Sequence, residues 1–429
     1  MVTKAMTEVR APREMSYLRL VAQGLVEATT APAPTEAVRR QLAIQGQQVA
    51  SVPHAIVSRA AGAARADVEA AFEAGRLVRS WPMRGTVHVT AADDHHWLRV
   101  ALMHRVDAWA RRAEKQLGVD DALLERAGEL ALAAIADEGP LRRARLLRVW
   151  QEGGLMGDSA GDDTGDGAGA GGAGTGAAAQ RRRHILVRLQ REGVLVQGPR
   201  RGNEHLIVSA GTLPPAETGP GGAGGGARGT DGHRAALAEI ARRYAASHGP
   251  VRAVDLARWT TLPVKEAARA LEDAVERTNA ADYNVRVEHG EVPLTRAEAV
   301  GGLRGGVRVL GAEGRAASSG RAAPLYMRAD LPGLLAASRE RAAGTHFLAS
   351  FDEVHVGYKD RACLVDAAGE RLICPAGNGM FRPLLVDRGR VVAVRPVGTG
   401  LLWADDARRS ARLERDVERA VRRIERRLA

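Results

Sequence analysis

Leu77-Val78-Arg79-Ser80-Trp81-Pro82-Met83-Arg84-Gly85-Thr86-Val87-His88-Val89 is the stretch that decides the fold. Leu77 to Trp81 and Thr86 to Val89 have strand-like composition, and Pro82-Met83-Arg84-Gly85 between them is a turn, so a two-stranded hairpin is predicted. Upstream, apolar residues recur at helical spacing: Leu18, Val21 and Leu25 within 14–26, then Val38 and Leu42 within 36–44. Two shorter helices are expected over 53–60 and 65–74, and Thr90 with Asp93 has the form of a capping box opening another. Helices followed by a hairpin make a winged helix-turn-helix unit, assigned to residues 1–118.

Working outward, the same order recurs. In 119–210, Leu123, Ala127, Leu130 and Ala134 trace one helix face and Gly139-Pro140 ends it; Leu141 to Trp150 starts the next helix. Residues 153–180 are dominated by Gly, Ala and Asp and hold too little apolar surface to order themselves, so a disordered insertion is expected there. Folding resumes at Arg181, and Val194-Leu195-Val196, the basic turn around Arg200-Arg201 and His205-Leu206-Ile207-Val208 form a second wing. Residues 211–233 read as a Pro/Gly linker, and 234–333 as a third unit with helices over 234–247, 251–260 and 263–277 and a wing over 284–292. Strand-like runs at Phe347 to Tyr358, Ala362 to Val365, Phe381 to Val386 and Arg390 to Val394 predict a small β-barrel over 334–404; 405–429 is a highly charged helix. The fold class is α+β: three tandem winged helix-turn-helix units and a small C-terminal β-barrel.

The charge balance suggests the partner. Lys plus Arg number 62 against 51 for Asp plus Glu, a net +11, which points to a polyanion and first to nucleic acid. Arg182 and Arg183 on a recognition-helix position and Arg200 and Arg201 at a wing tip are candidate DNA contacts, with a solvated helix face as the plainer alternative. The two cysteines, Cys363 and Cys374, match neither a zinc site nor a disulfide framework. His95-His96 follows Asp93-Asp94, but adjacent helical residues point apart, so no metal and no cofactor is expected. The first residues carry no apolar run, which predicts a cytoplasmic protein without membrane attachment.

Gln45 and Gln47, in Leu42-Ala43-Ile44-Gln45-Gly46-Gln47-Gln48 at an expected helix end, are the candidates for chemistry. An amide does not titrate, yet it offers one carbonyl acceptor and two N–H donors in a plane and can aim a water molecule. The plainer reading is that these glutamines cap the helix or meet solvent. Asp352, Glu353, Asp360 and Arg361 are read as a salt-bridged structural turn rather than an acidic catalytic cluster, since acids facing DNA would repel it.

Gln45-Gly46-Gln47, the hairpin Arg79 to His88, Ala241-Arg242-Arg243-Tyr244 with Ser247-His248-Gly249-Pro250 and Asp255-Leu256-Ala257-Arg258-Trp259, and Phe347-Leu348 followed by Phe351-Asp352-Glu353 together resemble the AlkZ/YcaQ-type DNA glycosylases. Gly46 stands where that family has an aliphatic residue, and Ser350 where it commonly has proline. The resemblance implies a C-shaped monomer that binds double-stranded DNA carrying alkylated purines, hydrolyses the N-glycosidic bond of N7-alkylated purines or crosslinks as a monofunctional glycosylase, and serves self-resistance to a DNA-alkylating natural product. Gln45 and Gln47 would be catalytic, and Arg79, Arg84 and His88 of the hairpin would join the arginines above as DNA contacts. A winged-helix transcriptional regulator without catalytic activity is the alternative that the residues alone leave open.

Overall fold

The computed structural model describes residues 13–103, 114–155, 176–216, 230–283, 291–300, 306–314 and 323–429. The hairpin is present: β2 (Leu77–Met83) pairs antiparallel with β3 (Thr86–Ala91). The helix before the glutamines differs from expectation. It spans Pro34–Gln41 and stops at Leu42, whose φ of 66° is left-handed, and the chain then enters a short strand, β1 (Ile44–Gln45), on the far edge of β3. Gln45 therefore sits on extended backbone, and Gln47 follows it in a bend.

The two hairpins of the first half share one sheet. β4 (Leu195–Arg201) pairs with β5 (Glu204–Ser209), and β4 joins β2 at Arg79 and Gln197, giving the order β1-β3-β2-β4-β5. Three helices, Asp121–Glu138, Arg143–Glu152 and Ala177–Arg191, lean on its far end around Trp150, whose indole N–H donates to the Ala127 carbonyl at 2.9 Å. Most of the proposed insertion lies outside the described residues.

Helices Thr230–His248, Ala253–Thr260 and Val264–Thr278 follow. The hairpin after them is β6 (Leu294–Val300) with β7 (Gly306–Gly311), and β8 (Leu325–Arg328) completes the order β7-β6-β8. The expected wing at 284–292 falls mostly on residues 284–290, which lie outside the described ones.

The barrel expectation is corrected to an open sheet, β12-β11-β10-β9, made by His346–Leu348, Leu384–Asp387, Arg390–Val394 and Leu402–Trp403 as β9 to β12. The run Phe347 to Tyr358 leaves the sheet after Leu348 because Phe351 is left-handed (φ 60°) and Asp352 caps a short helix, Glu353–Val356, by accepting from the Val354 N–H. Helix Ala411–Leu428 covers the sheet with Leu413, Val417, Val421 and Ile424, and Arg427 donates to the Ala63 carbonyl at 2.7 Å. The first helix, Arg13–Ala22, belongs with this part as well: Met15, Leu18 and Val21 share a core with Leu335, Leu348 and Val386.

Candidate active site

The glutamine segment is held by backbone on both sides. Gln45 pairs with His88, and the Gly46 N–H donates to the Val87 carbonyl at 2.8 Å. The Gly46 carbonyl accepts from Arg79 Nε at 2.8 Å. A Cβ on Gly46 would stand 3.3 Å from the His88 carbonyl carbon and 3.4 Å from a Val89 methyl, so glycine allows β1 to lie close on β3.

Arg84 reaches into this segment from the hairpin turn, its own φ at 55°. Its Nη2 is 3.0 Å from Gln45 Oε1 and 2.9 Å from His88 Nε2. His88 Nδ1 lies 3.0 Å from the Thr86 carbonyl. That oxygen can only accept, so the proton sits on Nδ1 and Nε2 is left to accept from Arg84. Burial first, then the Arg84 charge, hold His88 down to about 3, so it is neutral. The same argument orients Gln45: arginine has no acceptor, so the amide oxygen faces Arg84 and the NH2 is the end turned away.

Beneath Gln45 lies Glu353, fully buried. Its Oε1 accepts from the Gln45 backbone N–H at 2.9 Å, and its Oε2 accepts from Trp259 Nε1 at 3.1 Å and faces His248 Nε2 at 3.4 Å. Burial alone would raise its pKa, but the His248 contact and the nearby Arg84 charge prevail and hold it to about 2, so it is a carboxylate. His248 is stacked on Tyr244, ring centroids 4.6 Å apart, and its carbonyl accepts from the Tyr358 hydroxyl at 2.8 Å. Gly357 admits the imidazole: a Cβ there would be 2.8 Å from His248 Cδ2. Burial lowers the His248 pKa, and the contact with Glu353 works the other way.

The structure brings Gln45, Arg84 and His88 together, with half-buried Gln47 two residues on. Four of the candidate DNA contacts have partners within the protein. Arg79 is 2 % exposed and ties Gly46 to the Gln197 amide, and His88 is 0 % exposed, so both support the site from behind. Arg200 donates to the Gly202 carbonyl and pairs with Glu69 at 3.4 Å, and Arg201 pairs with Glu73, because the β4–β5 turn folds against helix Arg65–Glu73. Arg182 is half-buried and Arg183 exposed on helix Ala177–Arg191, neither in an ion pair among the described residues. The acidic turn is structural where it pairs: Asp352 with Arg59, Asp360 with Arg252, and Arg361 with Glu370. Glu353 breaks that pattern, and sequence reasoning missed its place under Gln45 together with His248 and Trp259; only their membership of the family-like motifs signalled them. Among the described residues no group of His, Cys, Asp and Glu could hold a metal, and no helix is long and apolar enough to cross a membrane.

Against this geometry, a family model described as DNA glycosylase AlkZ-like matches residues 38–427. Among solved structures, Streptomyces sahachiroi DNA glycosylase AlkZ superposes with a TM-score of 0.60 at 19% identity, over 97% of this chain and 96% of that one. No curated protein matches the chain.

Proposed function

Because the chain belongs to the AlkZ-like DNA glycosylase family, we propose that it hydrolyses the N-glycosidic bond of N7-alkylated purines in duplex DNA, with Gln45 and Gln47 placing the water. Alkylation at N7 makes the purine cationic, so it leaves without a general acid. As the C1′–N9 bond breaks, its electron pair goes to the base and neutralises it, while positive charge grows on the deoxyribose. Water oxygen bonds to C1′, and the surplus proton passes to solvent, since neither amide can keep it.

The observation that carries this reading is the Arg84 contact with Gln45 Oε1 at 3.0 Å. With that oxygen engaged, the Gln45 NH2 donates to the oxygen of the water, and Gln47 supplies the carbonyl that accepts a water O–H. A preorganised, uncharged pair of this kind lowers the barrier modestly. That suffices for an activated leaving group and leaves undamaged DNA intact. The protein acts as a monomer curved around the duplex, held by phosphate contacts that weaken with salt, and the family resemblance supports a role in self-resistance to an alkylating natural product.

Release of N7-methylguanine from duplex DNA by wild type, Gln45→Ala and Gln47→Ala tests the reading. Each variant should lose roughly ten- to a thousandfold in rate while still binding DNA, and the wild-type product should be an abasic site whose strand breaks only on alkali treatment. Wild-type rates in both variants would remove the glutamines from the mechanism.

A further inference from the structure

Glu353 is set apart from most of the buried acids among the described residues. Asp352 next to it is matched by Arg59, which bonds both its oxygens, at 2.7 and 3.0 Å. Glu239 has Arg242 and Arg243, and Asp94 has Arg243. Glu353 is as deeply enclosed as any of these, yet its hydrogen-bond partners are a backbone N–H, an indole N–H and an imidazole, with no guanidinium bonded to it among the described residues. A buried carboxylate without a bonded cation is costly to keep ionised. A neutral amide could not fill its place unchanged, since one of the two accepting oxygens would become an NH2 facing the Gln45 or the Trp259 N–H.

The cation that answers Glu353 is Arg84, and it is placed at the glutamine. Arg84 and Glu353 reach Gln45 from opposite ends of the residue: the guanidinium holds the side-chain oxygen and the carboxylate holds the backbone N–H. Glu353 is also the largest influence sustaining the Arg84 charge against burial. Arg84 carries a problem as well as a function. A positive group that orients the amide also opposes the positive charge growing on the sugar, and in a partly enclosed site such opposition is weakly screened.

We propose that Glu353 is a positioning residue for base excision: it fixes Gln45 through its backbone N–H and offsets the Arg84 charge, so that the amide is oriented without the site repelling the sugar cation. The inference rests on the glycosylase reading above. The residue itself touches no substrate, being fully buried. Its influence passes through Gln45 and through the field it adds.

The experiment compares single-turnover excision of N7-methylguanine and affinity for the same duplex in wild type, Glu353→Gln and Glu353→Asp. Glu353→Gln keeps the volume, removes the charge and exchanges one accepting oxygen for an NH2 that faces the Gln45 or the Trp259 N–H. Its rate should fall by about tenfold or more, whereas its DNA affinity should hold or tighten, because the face toward the phosphates has gained positive charge. Glu353→Asp keeps the charge and should recover part of the rate. A merely structural role would weaken rate and affinity together in both variants, and that outcome overturns the proposal. So does a wild-type rate in Glu353→Gln. If wild type itself releases no base, the glycosylase reading fails and this inference with it; an active wild type with an indifferent Glu353 sinks this inference alone.

Discussion

Arg84 Nη2 stands 3.0 Å from Gln45 Oε1 and 2.9 Å from His88 Nε2, so one guanidinium nitrogen serves a glutamine and a neutral imidazole at once. Both acceptors belong to paired strands, and the arginine locks the amide to the sheet. Replacing Arg84 with Met should free the Gln45 amide to rotate. Excision should drop by about a hundredfold, and duplex affinity should fall little beyond the effect of removing one charge. Single-turnover kinetics beside a binding titration separate the two effects; equal losses in both would make Arg84 a plain phosphate contact.

Gly46 sits where a Cβ would press within 3.3 Å of the His88 carbonyl carbon. Gly46→Val adds two further methyl groups against the same strand. Overpacking of this kind costs about 1 to 3 kcal/mol, and β1 must shift outward, taking Gln45 from Arg84. The expected result is a lower melting temperature together with slower excision. An unchanged rate would show that the strand tolerates the displacement.

The wing-tip arginines differ from those of helix Ala177–Arg191 in their partners. Arg201 is paired with Glu73, whereas Arg183 is exposed and outside any ion pair among the described residues. Arg183→Ala should therefore flatten the dependence of log affinity on log salt by about 0.9 for each phosphate that this arginine neutralises. Arg201→Ala should leave that slope where it was. The reverse pattern would return DNA binding to the wing tip.

Five buried histidines set an acid limit. Burial is the first cause in each: it holds His88, His95 and His205 to about 3 and His54 and His346 to about 4. The unfolded chain takes up these protons near 6.5, while the folded chain refuses them until the pH reaches those lower values. Stability from the neutral rings is therefore complete above about 6.5 and declines as pH falls toward 4. Each histidine contributes a slope of up to about 1.4 kcal/mol per pH unit. His95, with neither ring nitrogen hydrogen-bonded among the described residues, gives the clearest test. His95→Leu should reduce the loss of melting temperature between pH 6.5 and 5, and an unaltered slope would contradict this.

Much of the architecture was readable from periodicity and turn chemistry. The Arg79 to His88 hairpin, the helices ending near Thr260 and Arg277, and β11 at Arg390–Val394 lie close to where their patterns put them. What the patterns could not convey was partnership. The apolar stripe of Leu18 and Val21 announces a helix with a buried face, but nothing local says that this face meets Leu335 and Val386. The barrel failed for a related reason: strand-like composition around Phe347 did not reveal that Phe351 turns left-handed and Asp352 opens a helix. At the site, the family-like motifs contained Glu353, His248 and Trp259, yet their meeting under Gln45 depends on segments far apart along the chain. The arginines show the same limit, since a count of positive charges does not see the acids of helix Arg65–Glu73 that pair with Arg200 and Arg201.

The seam at Arg79 and Gln197, where β2 meets β4, has a mechanical consequence. A guanidinium that bonds both the Gly46 carbonyl and the Gln197 amide makes the reaction segment and the second hairpin one stiff plate. On the glycosylase reading proposed above, lesion search falls to the duplex deforming to fit a rigid template. Adducts that already soften or bend the helix should be found sooner than those that leave it straight.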